Sequence, residues 1–131
     1  MREKELFEYL KRYLTDLRLA DDQYSKWDCV SDRHKFLIEL KSRRTHYDTL
    51  LIERPKYDSL LQRAGSVGYT PLYVNSTPKG IYSFRLNELD LNWETNTKNP
   101  ATSEFSNRLR VEKTVSYIPI SKAKVIEYAN T

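Results

Sequence analysis

Residues 36–41 limit the possible folds of this chain more than any other part of its sequence. They read Phe-Leu-Ile-Glu-Leu-Lys, an apolar run that is interrupted by only two charges. Because side chains alternate along a strand, Leu37, Glu39 and Lys41 share one face, and the other three apolar residues share the opposite face. A near-continuous apolar run is typical of a strand that is covered on both sides, where charged groups need partners. The alternative is an edge strand with a solvated ion pair.

A second strand is predicted just before this segment, at residues 24–31, with a turn at Asp32-Arg33-His34. If that turn is symmetric, Asp28 lies directly opposite Glu39 in an antiparallel hairpin. Opposed side chains point to the same face and lie a few Å apart, so two carboxylates there repel unless a cation lies between them. This register therefore predicts a divalent metal site with Lys41 beside it. A shift of one residue would move Asp28 out of line.

The remaining elements are predicted from apolar periodicity and turn residues. The first part of the chain reads as a helix at 3–19, strands at 24–31, 35–42 and 46–53, a helix that begins near Pro55 and is capped by Gly65, and strands at 69–74 and 81–86. Next come a long polar connection at 87–110, a strand at 111–118 and a short helix capped by Ser121. The fold class is α/β, in the order α-β-β-β-α-β-β with a C-terminal extension. Residues 1–131 are predicted to form one domain, with a core at about 3–86 and the extension at 87–131.

Composition excludes several classes of protein. The 131 residues suit one domain, and 39% hydrophobic with 31% charged residues exclude a disordered chain. No apolar run approaches the ~20 residues that span a bilayer, and the first residues lack the apolar core of a secretory signal. The only cysteine, Cys29, excludes an internal disulfide and fits a reducing cytoplasm. We therefore expect a cytoplasmic protein without a membrane partner, and the net charge of +4 is compatible with nucleic acid.

An aspartate on the first strand of a hairpin, followed by Glu-x-Lys on the second, resembles the PD-(D/E)XK nuclease superfamily. The matching residues are Asp28 and Glu39-Leu40-Lys41, with Trp27 where the family name has proline. The order of elements from about residue 3 to residue 75 also matches. The resemblance implies a restriction-endonuclease-like mixed β-sheet flanked by helices. It further implies a metal-dependent nuclease that hydrolyses phosphodiester bonds of nucleic acid, with DNA preferred over RNA and endonucleolytic cutting over exonucleolytic cutting.

The same resemblance implies the roles of the core residues. Asp28, Glu39 and the backbone carbonyl of Leu40 would be the ligands of Mg²⁺ or Mn²⁺. Lys41 would orient the attacking water or help to deprotonate it, and would offset charge on the scissile phosphate. This agrees with elementary chemistry, because a metal lowers the pKa of bound water and a nearby ammonium assists.

Accessory residues are implied on the two helices and after the central strand. Glu3 is the candidate for an acid on the first helix, and a frayed helix end is its alternative interpretation. Lys56 is the candidate for a basic side chain on the second helix, with Gln62 behind it, and a solvated lysine is the alternative. Arg43 and Arg44 are candidates for phosphate contacts beside the cut site. A homodimer is compatible with such families, because two sites then address two strands.

Other residues compete for these roles. Asp32 competes with Asp28 for the first ligand position, although aspartate is common in turns for backbone hydrogen-bonding reasons. His34 and His46 are weaker candidates for a general base or a metal ligand. Cys29 faces away from Asp28 on the strand and is expected to be a small core residue rather than a nucleophile.

Two other functions stay open at this stage. The first is a non-catalytic nucleic-acid-binding module with the nuclease-like fold, which would bind by phosphate contacts and by stacking on Tyr47, Tyr69, Tyr73 and Trp93. The second is an interaction protein in which Glu39 and Lys41 form an ordinary ion pair. Asp28 would then point into solvent, away from Glu39.

Overall fold

The computed structural model describes residues 1–21, 26–100 and 110–128, and the account below concerns these residues. The helices are α1 (Glu3–Lys11) and α2 (Arg54–Val67). The strands are β1 (Arg18–Leu19), β2 (Asp28–Ser31), β3 (Phe36–Ser42), β4 (Thr49–Glu53), β5 (Thr70–Thr77), β6 (Gly80–Arg85), β7 (Glu94–Pro100), β8 (Arg110–Pro119) and β9 (Lys124–Tyr128). Short 3₁₀ turns lie at Leu86–Glu88 and Ile120–Lys122.

These strands form two sheets. The larger sheet has six strands in the order β1-β2-β3-β5-β6-β9, and the smaller has three in the order β4-β8-β7. β3 and β5 run parallel, while the other neighbouring pairs of the larger sheet are antiparallel, so this sheet is mixed. A parallel pair needs a long crossover, and the crossover here carries β4 and α2. The predicted α/β class with a mixed sheet and flanking helices is confirmed.

The hairpin of β2 and β3 has the predicted register. Asp28 pairs with Glu39 and Val30 with Leu37, and residues 32–35 form the turn. Lys35 in this turn has φ 58°, a left-handed conformation that lets the chain reverse direction before β3. Because the side-chain period of a strand is two, this register directs both acidic side chains to the same face of the sheet.

Each face of the larger sheet has its own hydrophobic core. Leu6, Phe7 and Leu10 of α1 pack on one face, against a cluster that includes Cys29, Ile38, Leu40, Leu72 and Val74. The other face packs against α2 and the smaller sheet, through a cluster that includes Val30, Leu37, Leu50, Ile52, Leu60, Phe84 and Ile118. β3 is thus covered on both sides, as its apolar run predicts. Asp28 and Glu39 lie on the face of the larger sheet that α2 covers.

The first helix is shorter than predicted. It ends at Lys11 rather than at residue 19, and Arg18 and Leu19 form an edge strand that pairs with Val30 and Cys29. Leu17 is nevertheless buried in the same cluster as α1. Its helical spacing therefore predicted burial correctly but not conformation, because pairing with β2 offers backbone hydrogen bonds that compete with the helix.

The second helix begins as predicted, with Pro55 in its first turn, but ends later. Its C-terminal cap is Gly68, with φ 73°, and Gly65 lies inside the helix. A left-handed residue after the last helical turn is the usual place for glycine. Leu60 and Ala64 are buried, as the predicted stripe requires, while Tyr57 and Leu61 are partly buried at its edge.

The C-terminal part of the chain differs most from the prediction. Residues 87–110 were expected to be a connection, yet Glu94–Pro100 is a strand that pairs with β8. The helix expected after Ser121 is a 3₁₀ turn followed by β9, which pairs with β6. The third predicted strand exists as β4, in the smaller sheet. Parts of two predicted elements, at residues 24–25 and 101–109, lie outside the described residues.

Two glycines provide a matched test of this fold. A Cβ at Gly80, which has φ 153°, would lie 2.2 Å from the backbone oxygen of Glu127 on β9, whereas a Cβ at Gly65 would have no neighbour within 4 Å. We expect Gly80→Ala to lower the free energy of unfolding by about 2 kcal/mol or more. Gly65→Ala should raise it by up to about 1 kcal/mol, because alanine favours a helix. Urea titration measures both, and equal stability of the two variants would contradict the β6–β9 pairing.

Candidate active site

The candidate site is built on the last residue pair between β2 and β3. Asp28 and Glu39 are directly opposed and almost fully buried, with relative exposures of 2% and 5%. They lie next to each other because main-chain hydrogen bonds set the register, while Val30 and Leu37 two residues away anchor the same face in the core. The solvated position that the interaction-protein hypothesis requires for Asp28 is not observed.

Helix α2 supplies positive charge to both acids. The Nη1 atom of Arg63 donates to Oδ2 of Asp28 at 2.9 Å, and Nζ of Lys56 lies 3.8 Å from Oε1 of Glu39. Together with Pro55, Ser59 and Leu60, these four side chains line a cavity of about 190 Å³. The two carboxylates therefore face an opening rather than a closed core.

Lys41 lies on the same strand face as Glu39, two residues further along β3. Its burial lowers its pKa, and the positive charges of Arg43 and Lys56 lower it further, while Glu3 and Glu39 act in the opposite direction. The strand thus places an ammonium group with a reduced affinity for its proton beside the acidic pair. This is the position that the sequence predicts for Lys41.

Glu3 is held at the end of β3 by the start of α1. Its Oε1 accepts a hydrogen bond from the backbone N–H of Ser42 at 3.3 Å, and the Ser42 hydroxyl donates to the Met1 carbonyl. Glu3 is therefore near Lys41, whose pKa it raises. Within residues 1–21, 26–100 and 110–128, however, no group of three or more His, Cys, Asp or Glu side chains is arranged to hold a metal ion. Glu3 stays a predicted accessory acid rather than a third ligand.

The donor set suits a divalent metal of the magnesium type. Mg²⁺ is usually bound by one or two carboxylates together with waters and substrate phosphates rather than by a complete protein cage. Asp28 and Glu39 are buried, opposed and open to the cavity. The guanidinium of Arg63 shows that positive charge is favoured at this place. The Leu40 carbonyl follows the last pair of the β2–β3 ladder, and its role as a ligand stays a prediction.

The two arginines after β3 have different surroundings. Arg43 donates from Nε to Oδ1 of Asn75 at 3.1 Å, and from Nη2 to the Leu51 carbonyl at 2.6 Å and the Tyr73 hydroxyl at 2.9 Å. Burial raises the pKa of Tyr73 to about 12, so its hydroxyl stays protonated and donates to the same Leu51 carbonyl. Arg43 therefore ties the larger sheet to β4. Arg44 is exposed, and phosphate binding by either residue stays a prediction.

The competing candidates have structural partners elsewhere. Asp32 lies in the hairpin turn, where it accepts hydrogen bonds from Tyr69 and Arg18 that lower its pKa. His34 bonds to the Ser31 hydroxyl, and His46 bonds to Thr77. Asp28 rather than Asp32 thus lies opposite Glu39.

The single cysteine lies in the core, as predicted. Cys29 belongs to the α1 side of the sheet, away from Asp28, and burial raises the pKa of its thiol to about 12. A thiol with such a pKa remains protonated and is a poor nucleophile at neutral pH.

Arg63 is the residue that sequence reasoning missed. Gln62 was considered behind Lys56, but Gln62 is exposed and its neighbour Arg63 points to Asp28. The signal that could have found it is spacing, because residues seven positions apart lie on one face of a helix, two turns from each other. Arg63 is seven residues after Lys56, whereas Gln62 is six.

The arrangement of helices and sheets is similar to that of a solved structure, the Holliday junction resolvase Hjc from the archaeal hyperthermophile Archaeoglobus fulgidus. The match covers 93% of this chain and 90% of the resolvase, with a TM-score of 0.57 and 16% sequence identity. The resolvase is a member of the PD-(D/E)XK nuclease superfamily. The chain has a restriction-endonuclease-like fold. The resemblance inferred from the sequence is therefore confirmed for the fold, which is what a likeness at this identity shows.

Two further comparisons gave no match. No protein-family model and no curated protein matches the chain. In the part of the chain that the structure describes, neither helix is long and apolar enough to cross a membrane.

The neighbouring Arg43 and Arg44 allow a matched test of their roles. Arg43→Gln should lower the free energy of unfolding by about 2 kcal/mol, because it removes charge-assisted hydrogen bonds that join the two sheets. Arg44→Gln should change it by less than about 0.5 kcal/mol. If Arg44 contacts phosphate, its variant should instead weaken salt-dependent DNA binding, measured by fluorescence anisotropy. Equal stability of the two variants would contradict the structural role of Arg43.

Proposed function

We propose that the chain is a metal-dependent endonuclease of the PD-(D/E)XK superfamily that hydrolyses phosphodiester bonds of DNA. The observation that carries this proposal is the pair of opposed, buried carboxylates of Asp28 and Glu39, which line an open cavity, with Lys41 two residues after Glu39 on the same strand face. Two acids that face each other favour a cation between them, and in the free protein Arg63 and Lys56 provide the positive charge from one side, on α2. The proposal is supported by the β2–β3 pairing, in which Asp28 lies opposite Glu39 and Lys41 follows Glu39 by two residues on the same strand.

The proposed chemistry divides the work between the ion and the side chains. Mg²⁺ or Mn²⁺ bound at this site lowers the pKa of coordinated water and stabilises the charge that develops on the phosphate. Asp28, Glu39 and the Leu40 carbonyl would hold that ion. Lys41 would orient the attacking water and, because its pKa is lowered, would accept a proton from it more readily than an exposed lysine.

Other groups would position the nucleic acid. Lys56 stands at the mouth of the cavity and would contact the phosphate next to the scissile bond, and Arg44 would contact the backbone further along. Glu3, which is bonded to Ser42 at the same end of β3, would act on Lys41 from the side of α1. The net charge of +4 favours approach of a polyanion.

The substrate is proposed to be DNA, and a four-way junction is the first form to test. This choice is supported by the likeness to a structure described as a Holliday junction resolvase. A homodimer is proposed, because two sites are needed to cut two strands. The cytoplasm is the proposed location, in keeping with a single buried cysteine.

Cleavage assays with matched variants test the proposal. Four-way junctions, plasmid and single-stranded DNA are incubated with Mg²⁺ or Mn²⁺, and with excess chelator. We expect cleavage that needs the metal and falls by about 100-fold or more in Asp28→Asn, Glu39→Gln and Lys41→Met. Glu8→Gln and Lys4→Met change the same residue types on the exposed surface of α1 and should cleave like the unmodified protein.

Activity that persists in Glu39→Gln or Lys41→Met would defeat the assignment of these residues. Cleavage that continues in excess chelator would defeat the metal dependence. Before the assays, each variant is compared with the unmodified protein by circular dichroism, so that loss of activity through unfolding is recognised.

A non-catalytic DNA-binding module is the second candidate function. The observation that favours it is that Arg63 and Lys56 already provide positive charge to the acidic pair. Such a module would bind DNA in a salt-dependent way and would show no binding of Mn²⁺ that depends on Glu39. Calorimetric titration with Mn²⁺ distinguishes the two functions.

A further inference from the structure

Helix α2 presents two cations to the two acids at a spacing of two helical turns. Arg63 contacts Asp28 at 2.9 Å, and Lys56 lies 3.8 Å from Glu39. All four side chains line the same cavity of about 190 Å³. The charges that a metal ion would neutralise are therefore already compensated, at least in part, by residues of the chain itself.

The two contacts differ in exposure. The Arg63 side chain is 12% exposed and that of Asp28 is 3% exposed, whereas Lys56 is 44% exposed. Solvent screens a charge pair at the surface much more than a buried one. Arg63 is therefore the stronger competitor for its carboxylate, and Lys56 the weaker.

We infer that Arg63, with a smaller contribution from Lys56, competes with the metal ion for the acidic pair, so that the free protein binds divalent cations weakly. The inference rests on the proposed function and concerns how the proposed site is loaded. A metal ion at Asp28 must displace the guanidinium from Oδ2 or bind beside it, and either step carries electrostatic repulsion. Arg63 is thus a positioning residue that holds Asp28 until the site is loaded.

A phosphate group would relieve this competition. The guanidinium of arginine binds phosphate through a planar fork of N–H donors, and Arg63 lines the cavity that a phosphate would enter. A phosphate that draws Arg63 away from Asp28 leaves that carboxylate available to the metal. By linkage, the DNA backbone and the metal ion then strengthen each other's binding by the same factor.

The first test measures Mn²⁺ binding to the free protein by electron paramagnetic resonance. We expect Arg63→Gln to bind Mn²⁺ about tenfold more tightly than the unmodified protein, which corresponds to about 1.4 kcal/mol. Lys56→Gln should bind it about threefold more tightly, because its charge is more screened. Arg54→Gln, which removes an exposed arginine of the same helix that pairs with Asp58, should leave the affinity unchanged.

The direction of the change separates competition from a purely structural role. If Arg63 only maintains the fold, Arg63→Gln disorders Asp28 and weakens Mn²⁺ binding. Thermal unfolding shows whether Arg63→Gln is folded. If it is unfolded, Lys56→Gln tests the competition instead, because Lys56 is half-exposed and its replacement should leave the fold intact. Affinities equal to or below that of the unmodified protein in the folded variants would overturn the inference.

The second test measures the coupling with DNA in a Lys41→Met background, which the proposed function expects not to cleave. Adding a short DNA duplex should tighten Mn²⁺ binding about tenfold in this background and clearly less when Arg63→Gln is also present. Equal tightening with and without Arg63 would overturn the role of the phosphate.

Failure of the inference can be distinguished from failure of the proposed function. If Mn²⁺ binding is lost in Glu39→Gln but is the same with and without Arg63, the site exists and only the competition is wrong. If neither the unmodified protein nor Arg63→Gln binds Mn²⁺ in a way that depends on Glu39, both the metal site and the inference are overturned.

Discussion

Two carboxylates meet below the surface at Asp28 and Glu39, and the surrounding structure supplies the positive charge that such a pair requires. A buried ionised acid is strongly destabilising unless it is paired and hydrogen-bonded, and two together also repel each other. The chain meets this requirement with Arg63 and Lys56, which approach from a different element. The position of α2 over the sheet therefore follows from electrostatics as well as from the packing of Leu60 and Ala64. A well-packed apolar pair of similar volume would be as stable or more stable at this place, so stability alone does not account for the two acids.

The parallel pairing of β3 with β5 determines how α2 reaches that position. A parallel neighbour requires a crossover, and this one first forms β4 in the smaller sheet and then returns as α2 over the face that carries the acids. Arg43 closes this arrangement, because it lies directly after β3 and donates to the Leu51 carbonyl of β4. The residues that bear the proposed chemistry are thus supported by two sheets and a helix rather than by a flexible loop.

Local patterns in the sequence were sufficient for some parts of this structure but not for others. The position of Asp28 opposite Glu39 could be predicted, because a short turn and the alternation of side chains along each strand determine the register within a hairpin. Arg63 could not be chosen over Gln62, because the rotation of a helix about its axis depends on what it packs against. The end of α1 and the strands Glu94–Pro100 and Lys124–Tyr128 were missed because their hydrogen bonds join residues that are distant in the chain. Propensity carries no information about such partners.

The same reasoning explains how a fold of this kind tolerates extensive sequence change, as the 16% identity with a structure of similar topology illustrates. Asp28 and Glu39 are brought together by main-chain pairing, which depends on the number of residues in the turn and not on particular core side chains. Cores accept many combinations of apolar residues of suitable volume. The charges facing the acids are less constrained, because any helix position that points into the cavity can supply one. We therefore expect the acidic pair to be the invariant part of such a site and its cationic partners to be the part in which related chains differ.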